Sequence, residues 1–161
     1  NERFRPESHD IVLKSIVEKN IGVLGPVARE KNIEIVNAVG ADKAYADPNM
    51  IETIIRNLIS NAIKFTPRGG KITISSGTHE GLVQVTVSDT GVGISKERIG
   101  KILDLDHKVS TKGTDGEHGT GLGLSLCKEM VGLNGGEFWI ESIENEGSHF
   151  HFTLRGHAPE A

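Results

Sequence analysis

The sequence predicts an α/β fold of the two-layer sandwich kind (α+β), a mixed, mostly antiparallel sheet covered on one face by helices. Three observations lead there. Alternating strand-like runs come in adjacent pairs, 70–78 with 82–89 and 137–143 with 148–154, each pair joined by a short polar turn, "HEG" or "ENEG". Amphipathic runs at helical spacing lie between the pairs. The regular strand–helix–strand alternation of a doubly wound sheet is missing, as are internal repeats.

Taken in order, residues 10–31 read as a helix through Ile11, Val12, Ile16, Val17, Ile21, Leu24 and Val27, although Gly22, Gly25 and Pro26 weaken its middle. "IEIVNAV" (33–39) alternates as a strand, and "AYA" (44–46) is a second, short one. Asp47 and Pro48 supply an N-cap and a first helical residue for a helix to about Lys64, ended by Pro67 and Gly69-Gly70. The 70–78/82–89 hairpin follows, then a short helix over 95–103 with Ser95 as cap. Residues 104–118, "DLDHKVSTKGTDGEH", have no apolar period and are long for a connector, the mark of a lid or of disorder. A helix over 121–134 is entered through glycines and closed by Gly135-Gly136, and the second hairpin ends the fold.

Size and composition bound the answer. The 161 residues suit one domain with a real core. A net charge of -4 without a basic face excludes a nucleic-acid footprint, and aromatics at 4% argue against a stacking surface for single strands. No apolar run reaches the roughly 18 residues that span a bilayer, and "NERFRPESHD" has no signal-peptide pattern and looks like the start of an excised fragment. The single Cys127 forbids an internal disulfide, which fits a reducing compartment, and its helical flanks read as core. The outlier is glycine, at 20 residues clustered in "DTGVGI", "KGTDGEHGTGLGLS" and "LNGGE", where backbone must turn sharply or approach something closely.

Three stretches carry chemistry. On a wheel of about 100° per residue, Ile51, Ile54, Leu58 and Ala62 fall on one side of the 48–64 helix with Ile55 beside them. Asn57, Asn61 and Lys64 share an adjoining side within about 60°, extended by Thr53. Amide oxygens suit Mg²⁺ and a lysine suits phosphate; a plain solvated face is the competing account. In "SDTGVGI" (88–94) a strand-end Asp89 precedes Gly-x-Gly, so a carboxylate can accept from an exocyclic amine such as adenine's while backbone approaches closely; a self-capping turn is the competing account. "GTGLGLS" (119–125) opens a helix whose N–H groups favour anions, without the spacing or context of a dinucleotide fingerprint and without a P-loop Lys. Each alone is weak. Together they cover metal, base and phosphates of Mg-ATP.

"NLISNAIKFTP", "DTGVGI" and "GTGLGLSLCKEMV" resemble the N, G1 and G2 boxes of sensor histidine kinases, and the resemblance runs from about Arg3 to Leu154. That family groups with gyrase-type and mismatch-repair ATPases and heat-shock chaperones, which share a left-handed Bergerat-type ATP-binding sandwich. The resemblance implies ATP and Mg²⁺ as cofactors. Asn61, with Asn57 one turn earlier, would hold Mg²⁺, with the direct ligand of the two left open. Lys64 would meet the phosphates, and Asn57, Asn61 and Lys64 would form the catalytic set. Phe65 would line the site; Asp89 would accept from the adenine amine, walled by Gly91, Gly93 and Ile94. Residues 104–118 would be the ATP lid, with Lys112 and then Lys108 as phosphate contacts, and Gly119, Thr120, Gly121, Leu122, Gly123 and Leu124 would wrap the triphosphate.

The resemblance further implies a remnant of a linker from a dimerisation domain at 1–9, a catalytic ATP-binding domain at 10–155 and a tail at 156–161. The expected partners are the dimerisation and phosphoacceptor domain of the same protein and a downstream response regulator. The fragment is expected to be monomeric and cytoplasmic, its parent a homodimer whose membrane anchoring stays open. Two departures stand out. Leu103 and Leu105 replace a phenylalanine pair common before the lid, and His9, followed by Asp-Ile, does not match the phosphoacceptor box. His79, His107, His118, His149, His151 and His157 fall in turns, lid, last strand or tail, and none is a credible acceptor. The alternatives are an ATPase or serine kinase of the same superfamily, which would typically carry Glu at position 57, and a non-catalytic nucleotide-binding docking module.

Overall fold

A computed structural model describes residues 5–103, 113 and 123–160. The chain runs β1 (His9–Val12), α1 (Leu13–Glu30), β2 (Glu34–Ala38), β3 (Lys43–Ala46), α2 (Pro48–Phe65), β4 (Lys71–His79), β5 (Leu82–Asp89), α3 (Lys96–Ile102), α4 (Gly123–Leu133), β6 (Phe138–Ile143) and β7 (Gly147–Arg155). One seven-stranded sheet has the order β1-β3-β7-β5-β4-β2, with β6 paired to β7 off that path. Only β2 and β4 pair in parallel, so the sheet is mixed and mostly antiparallel.

The first expected helix is shorter than its apolar pattern. Residues 9–12 form a strand, with Ile11 buried opposite Ala44. No capping side chain stands at Val12, so the helix start carries no local signal, and the strand exists because β3 offers it an edge. Helix α1 continues through Pro26, which deprives the Gly22 carbonyl of its helical partner. Gly22 is exposed, so water can serve that carbonyl.

Helix α2 is the centre of the helical layer, packed against α1, α4, β4 and β5. It buries Ile51, Ile54, Ile55, Leu58, Ile59, Ala62 and Ile63, a wider stripe than the wheel predicts. Burial contributes about 1.5–3 kcal/mol per large side chain. That outweighs helix-propensity losses of at most about 0.7 kcal/mol at each Ile, Asn or Thr, so packing decides this helix. Asp47 caps its start, Oδ1 accepting from Asn49 N at 2.9 Å and Met50 N at 3.2 Å. Its far end is closed by buried Lys31, whose Nζ donates to the carbonyls of Ile63 at 2.8 Å and Lys64 at 3.4 Å.

Each strand presents one face to the helices. On β5 these are Val83, Val85, Val87 and Asp89; on β7, Ser148, Phe150, Phe152 and Leu154. The opposite face carries Gln84, Thr86, Ser88, His149, His151, Trp139 and Glu141. There the His151 ring stacks on Trp139, with centroids 5.0 Å apart; its Nδ1 lies 2.8 Å from Thr86 Oγ1 and its Nε2 2.6 Å from Glu141 Oε1. Burial holds the His151 pKa below its ordinary value against the pull of Glu141. Among the described residues no group of three or more His, Cys, Asp or Glu could hold a metal ion.

Candidate functional site

Asn57 and Asn61 lie half-buried, one turn apart on α2. Asn61 Nδ2 donates to the Asn57 carbonyl at 3.1 Å, which turns the Asn61 amide oxygen away from that backbone. Facing them is the first residue of α4. A Cβ on Gly123 would lie 3.6 Å from Asn57 Oδ1 and 3.7 Å from Asn61 Nδ2. The fold thus sets the start of one helix against the polar edge of another, 62 or more positions apart in sequence by residue number (123 minus 61).

At the C-terminus of α2, one turn beyond Asn61, Lys64 Nζ stands 4.9 Å from the Phe65 ring centroid. The Phe65 carbonyl accepts the Val92 N–H at 3.1 Å, which fastens the turn after β5 to the helix terminus. Asp89 closes β5 with its side chain on the helix-facing side and 8% exposed. Its Oδ1 accepts the Gly91 N–H at 2.8 Å, and the N–H of Ser148, its partner in the β5–β7 ladder, also favours the ionised carboxylate. Desolvation raises the Asp89 pKa above its ordinary 3.8, opposed by those two N–H groups and by His149.

Two glycines make this turn possible. A Cβ at Gly91 would sit 2.7 Å from Asp89 Oδ1 and against the Phe65 carbonyl, and one at Gly93 would run into the Ile143 carbonyl. Gly93 also has φ +72°, a conformation side chains rarely adopt. Ile94 is half-buried, and its N–H donates to Ser142 Oγ at 2.7 Å.

The structure therefore brings Asn57, Asn61, Lys64 and Phe65 to one helix edge, with Gly123 across from the asparagines and the Asp89–Ile94 turn fastened at Phe65. The Leu124 side chain is 7% exposed and lies in the core, so its backbone is what it can offer a ligand. Lys108, Lys112, Gly119, Thr120, Gly121, Leu122 and most of the lid stretch lie outside the described residues. Cys127 is buried with its thiol pushed up to about 12, which makes it an inert core residue.

Sequence reasoning missed Ser142, Ser148 and Asn145. Asn145 N donates to the Val92 carbonyl at 2.6 Å, and Ser142 Oγ lies 2.7 Å from Ser148 Oγ. A signal was present. The inward positions of β6 and β7 run Phe138, Ile140, Ser142 and Ser148, Phe150, Phe152, so serines replace hydrophobes only where the strands approach Asp89.

A recessed carboxylate beside a glycine turn, an amide-bearing helix edge and a second helix start lie together on a two-layer sandwich, the arrangement expected of an ATP-binding catalytic domain. The comparisons with known proteins agree. A family model described as histidine kinase-, DNA gyrase B- and HSP90-like ATPase matches residues 46–158, and the chain belongs to that family. The adaptive-response sensory kinase SasA of Rippkaea orientalis is 37% identical over 151 residues, 91% of this chain and 38% of that protein. The sensor histidine kinase WalK of Bacillus subtilis is 36% identical over 132 residues, 80% of this chain and 22% of that protein. The catalytic domain of the histidine kinase ThkA superposes with a TM-score of 0.81 at 30% identity, covering 93% of this chain and 98% of that one. Full-length ShkA in complex with AMPPNP gives 0.79 at 25% identity, with 95% and 32% covered. ThkA in complex with the response regulator protein TrrA gives 0.78 at 26% identity, with 94% and 42% covered. The chain thus spans less than half the length of the SasA relative. Among the described residues, no helix is long and apolar enough to cross a membrane.

Proposed function

We propose that this chain binds Mg-ATP and donates the γ-phosphate to a histidine on a separate dimerisation domain, as the catalytic part of a two-component sensor histidine kinase. The observation that carries the proposal is the convergence of Asn57 and Asn61 with the α4 start at Gly123, joined through Phe65 to the turn that holds buried Asp89.

Asp89 accepts from the adenine amine, and Gly91, Gly93 and Ile94 form the wall beside the base. Asn61, with Asn57 one turn earlier, would hold Mg²⁺, for which a hard amide oxygen with water in the remaining positions is a suitable donor. There the metal would supply charge neutralisation for the phosphate oxygens. Lys64 adds a second positive charge, and the glycine-rich entry to α4 offers N–H groups to phosphate. Lys112 is assigned to the lid's phosphate contact. In phosphoryl transfer, positioning and charge neutralisation do most of the work, so a site of ligands without a nucleophile suits the reaction. The nucleophile is an imidazole nitrogen outside residues 10–155, and the base that assists it belongs to that other domain.

The domain limits proposed are 1–9 for a linker, 10–155 for the catalytic unit and 156–161 for a tail. The response regulator partner is supported by the ThkA–TrrA complex. A monomeric fragment, a homodimeric parent and a cytoplasmic location complete the reading. An ATPase or serine kinase of the same superfamily is the second reading, and Asn rather than Glu at position 57 weighs against it.

The test is a mixture of this chain, γ-labelled ATP and the histidine-bearing domain of the parent protein. Label on histidine only when both proteins and Mg²⁺ are present is the expected result. Steady ATP turnover by the chain alone, with no labelled histidine, supports the second reading. For the metal, Asn61→Ala should abolish most of the gain in ATP affinity that Mg²⁺ confers. An unchanged ratio of affinities with and without Mg²⁺ refutes that assignment.

A further inference from the structure

Ser142 occupies the inward face of β6, one strand away from Asp89 across β7. A hydroxyl has one donor and two acceptor positions. Ser142 Oγ has three polar neighbours: the Ile94 N–H at 2.7 Å, the Gly147 carbonyl at 3.1 Å and Ser148 Oγ at 2.7 Å. Donating to the carbonyl while accepting from Ile94 and from the Ser148 hydroxyl uses its full capacity. Ser148 stands directly opposite Asp89 in the β5–β7 ladder, and its N–H favours the ionised carboxylate.

The two ends of the turn 89–94 are therefore gripped by one polar relay. Ile94, at one end, rests on Ser142; Asp89, at the other, pairs in the ladder with Ser148, whose hydroxyl Ser142 contacts. The middle of the turn is tied separately, Val92 O to Asn145 N at 2.6 Å and Val92 N to Phe65 O at 3.1 Å. Those backbone ties survive a change of side chain. The side-chain link from Ile94 to Ser148 does not, because it passes through the Ser142 hydroxyl.

We infer that Ser142 is a positioning residue for base recognition, fixing the Asp89 carboxylate relative to the Gly93–Ile94 wall and so setting preference for a 6-amino purine. The inference rests on the proposed role of Asp89 as acceptor of the adenine amine. A serine that merely fills a strand end would affect every ligand of the site alike. A serine that sets the carboxylate's position affects only a ligand that uses it.

The experiment measures binding of ATP, inosine triphosphate and inorganic tripolyphosphate to the parent chain, Ser142→Ala, Ser142→Thr and Asp89→Asn. Inosine triphosphate carries an oxygen where ATP has the amine. Ser142→Ala should weaken ATP by about 5- to 10-fold, the scale of one lost hydrogen bond, while inosine triphosphate and tripolyphosphate change by less than about twofold. Retained tripolyphosphate binding shows that the variant is folded. Ser142→Thr, which keeps the hydroxyl, should restore the preference for ATP; Ser142→Cys, close in size but a weak acceptor, should not, and serves if the alanine variant does not fold. A proportional loss for ATP and inosine triphosphate, or no loss for ATP, overturns the inference. If Asp89→Asn leaves the ATP preference intact, the base assignment itself fails, a result distinct from Ser142→Ala being silent while Asp89→Asn is not.

Discussion

Asp89 is under opposing demands. Folding takes its carboxylate out of water, which favours the neutral acid, whereas the Gly91 and Ser148 N–H groups favour the ionised form; desolvation wins and the pKa rises. A folded-state pKa raised above the unfolded value contributes stability that is full below the ordinary 3.8 and lost as pH rises through the raised value. At neutral pH the ionised group is thus a burden on the ligand-free fold. In the proposed role binding has the reverse sign, since the ionised form is the better acceptor for an amine. Asp89→Asn should raise the melting temperature of the ligand-free chain at pH 7, with the gain vanishing below about pH 4, and weaken ATP at pH 7. Thermal unfolding at the two pH values, with calorimetric titration of ATP, reads both effects; a variant less stable than the parent at pH 7 contradicts the argument. Asp89 stood out in the sequence because its neighbours, a strand before it and Gly-x-Gly after it, are local. Ser142 and Ser148 did not, because their meaning depends on β7 lying beside β5 in one register and β6 in another.

The same division runs through the elements. Helix α2 was legible end to end because its signals are all within the segment: Asp47 and Pro48 at the start, an apolar stripe and a polar edge along it, and Pro67 with Gly69-Gly70 beyond its end. Both hairpins were legible for the same reason, and the Glu80-Gly81 turn has the two positive φ values, 50° and 79°, that tight hairpins need. Strand β1 was not, since four residues are too few to show a period and its partner lies some 35 residues on. Asp47 does more than the sequence suggested. Its Oδ2 accepts the Glu7 N–H at 2.9 Å, and its own N–H donates to Asn134 Oδ1 at 2.9 Å, so one residue ties the chain entering β1, the start of α2 and the end of α4. Asp47→Ala removes the cap and the Glu7 link but leaves the backbone bond to Asn134. The expected loss is about 2 kcal/mol, at the upper end for a helix cap, read as a lower urea midpoint. Asp47→Asn, which still accepts, should retain most of it. Equal losses in the two variants would place the effect outside hydrogen bonding.

Across the whole molecule the proposed site is assembled from positions near 57–65, 89–94 and 123, carried by two helices and a strand end that share one core. None of these segments can close the site alone, so ligand binding is linked to the unfolding of the entire domain. A ligand that binds only the folded state adds about 2.7 kcal/mol of stability at 100 times its dissociation constant. A domain of 150–250 residues gains roughly 2–4 °C per kcal/mol, so Mg-ATP at that excess should raise the melting temperature by about 5–10 °C. The rise should come as one transition, because α2 touches α1, α4, β4 and β5 and cannot melt apart from them. In Asp89→Asn the ligand-induced rise at the same ATP concentration should shrink although the ligand-free chain starts higher, which separates the two roles of the carboxylate in one set of melts. A biphasic melt in which ATP shifts only one phase would show that the helical layer and the sheet unfold independently, and the shared core around α2 would then not be what couples the base end of the site to its phosphate end.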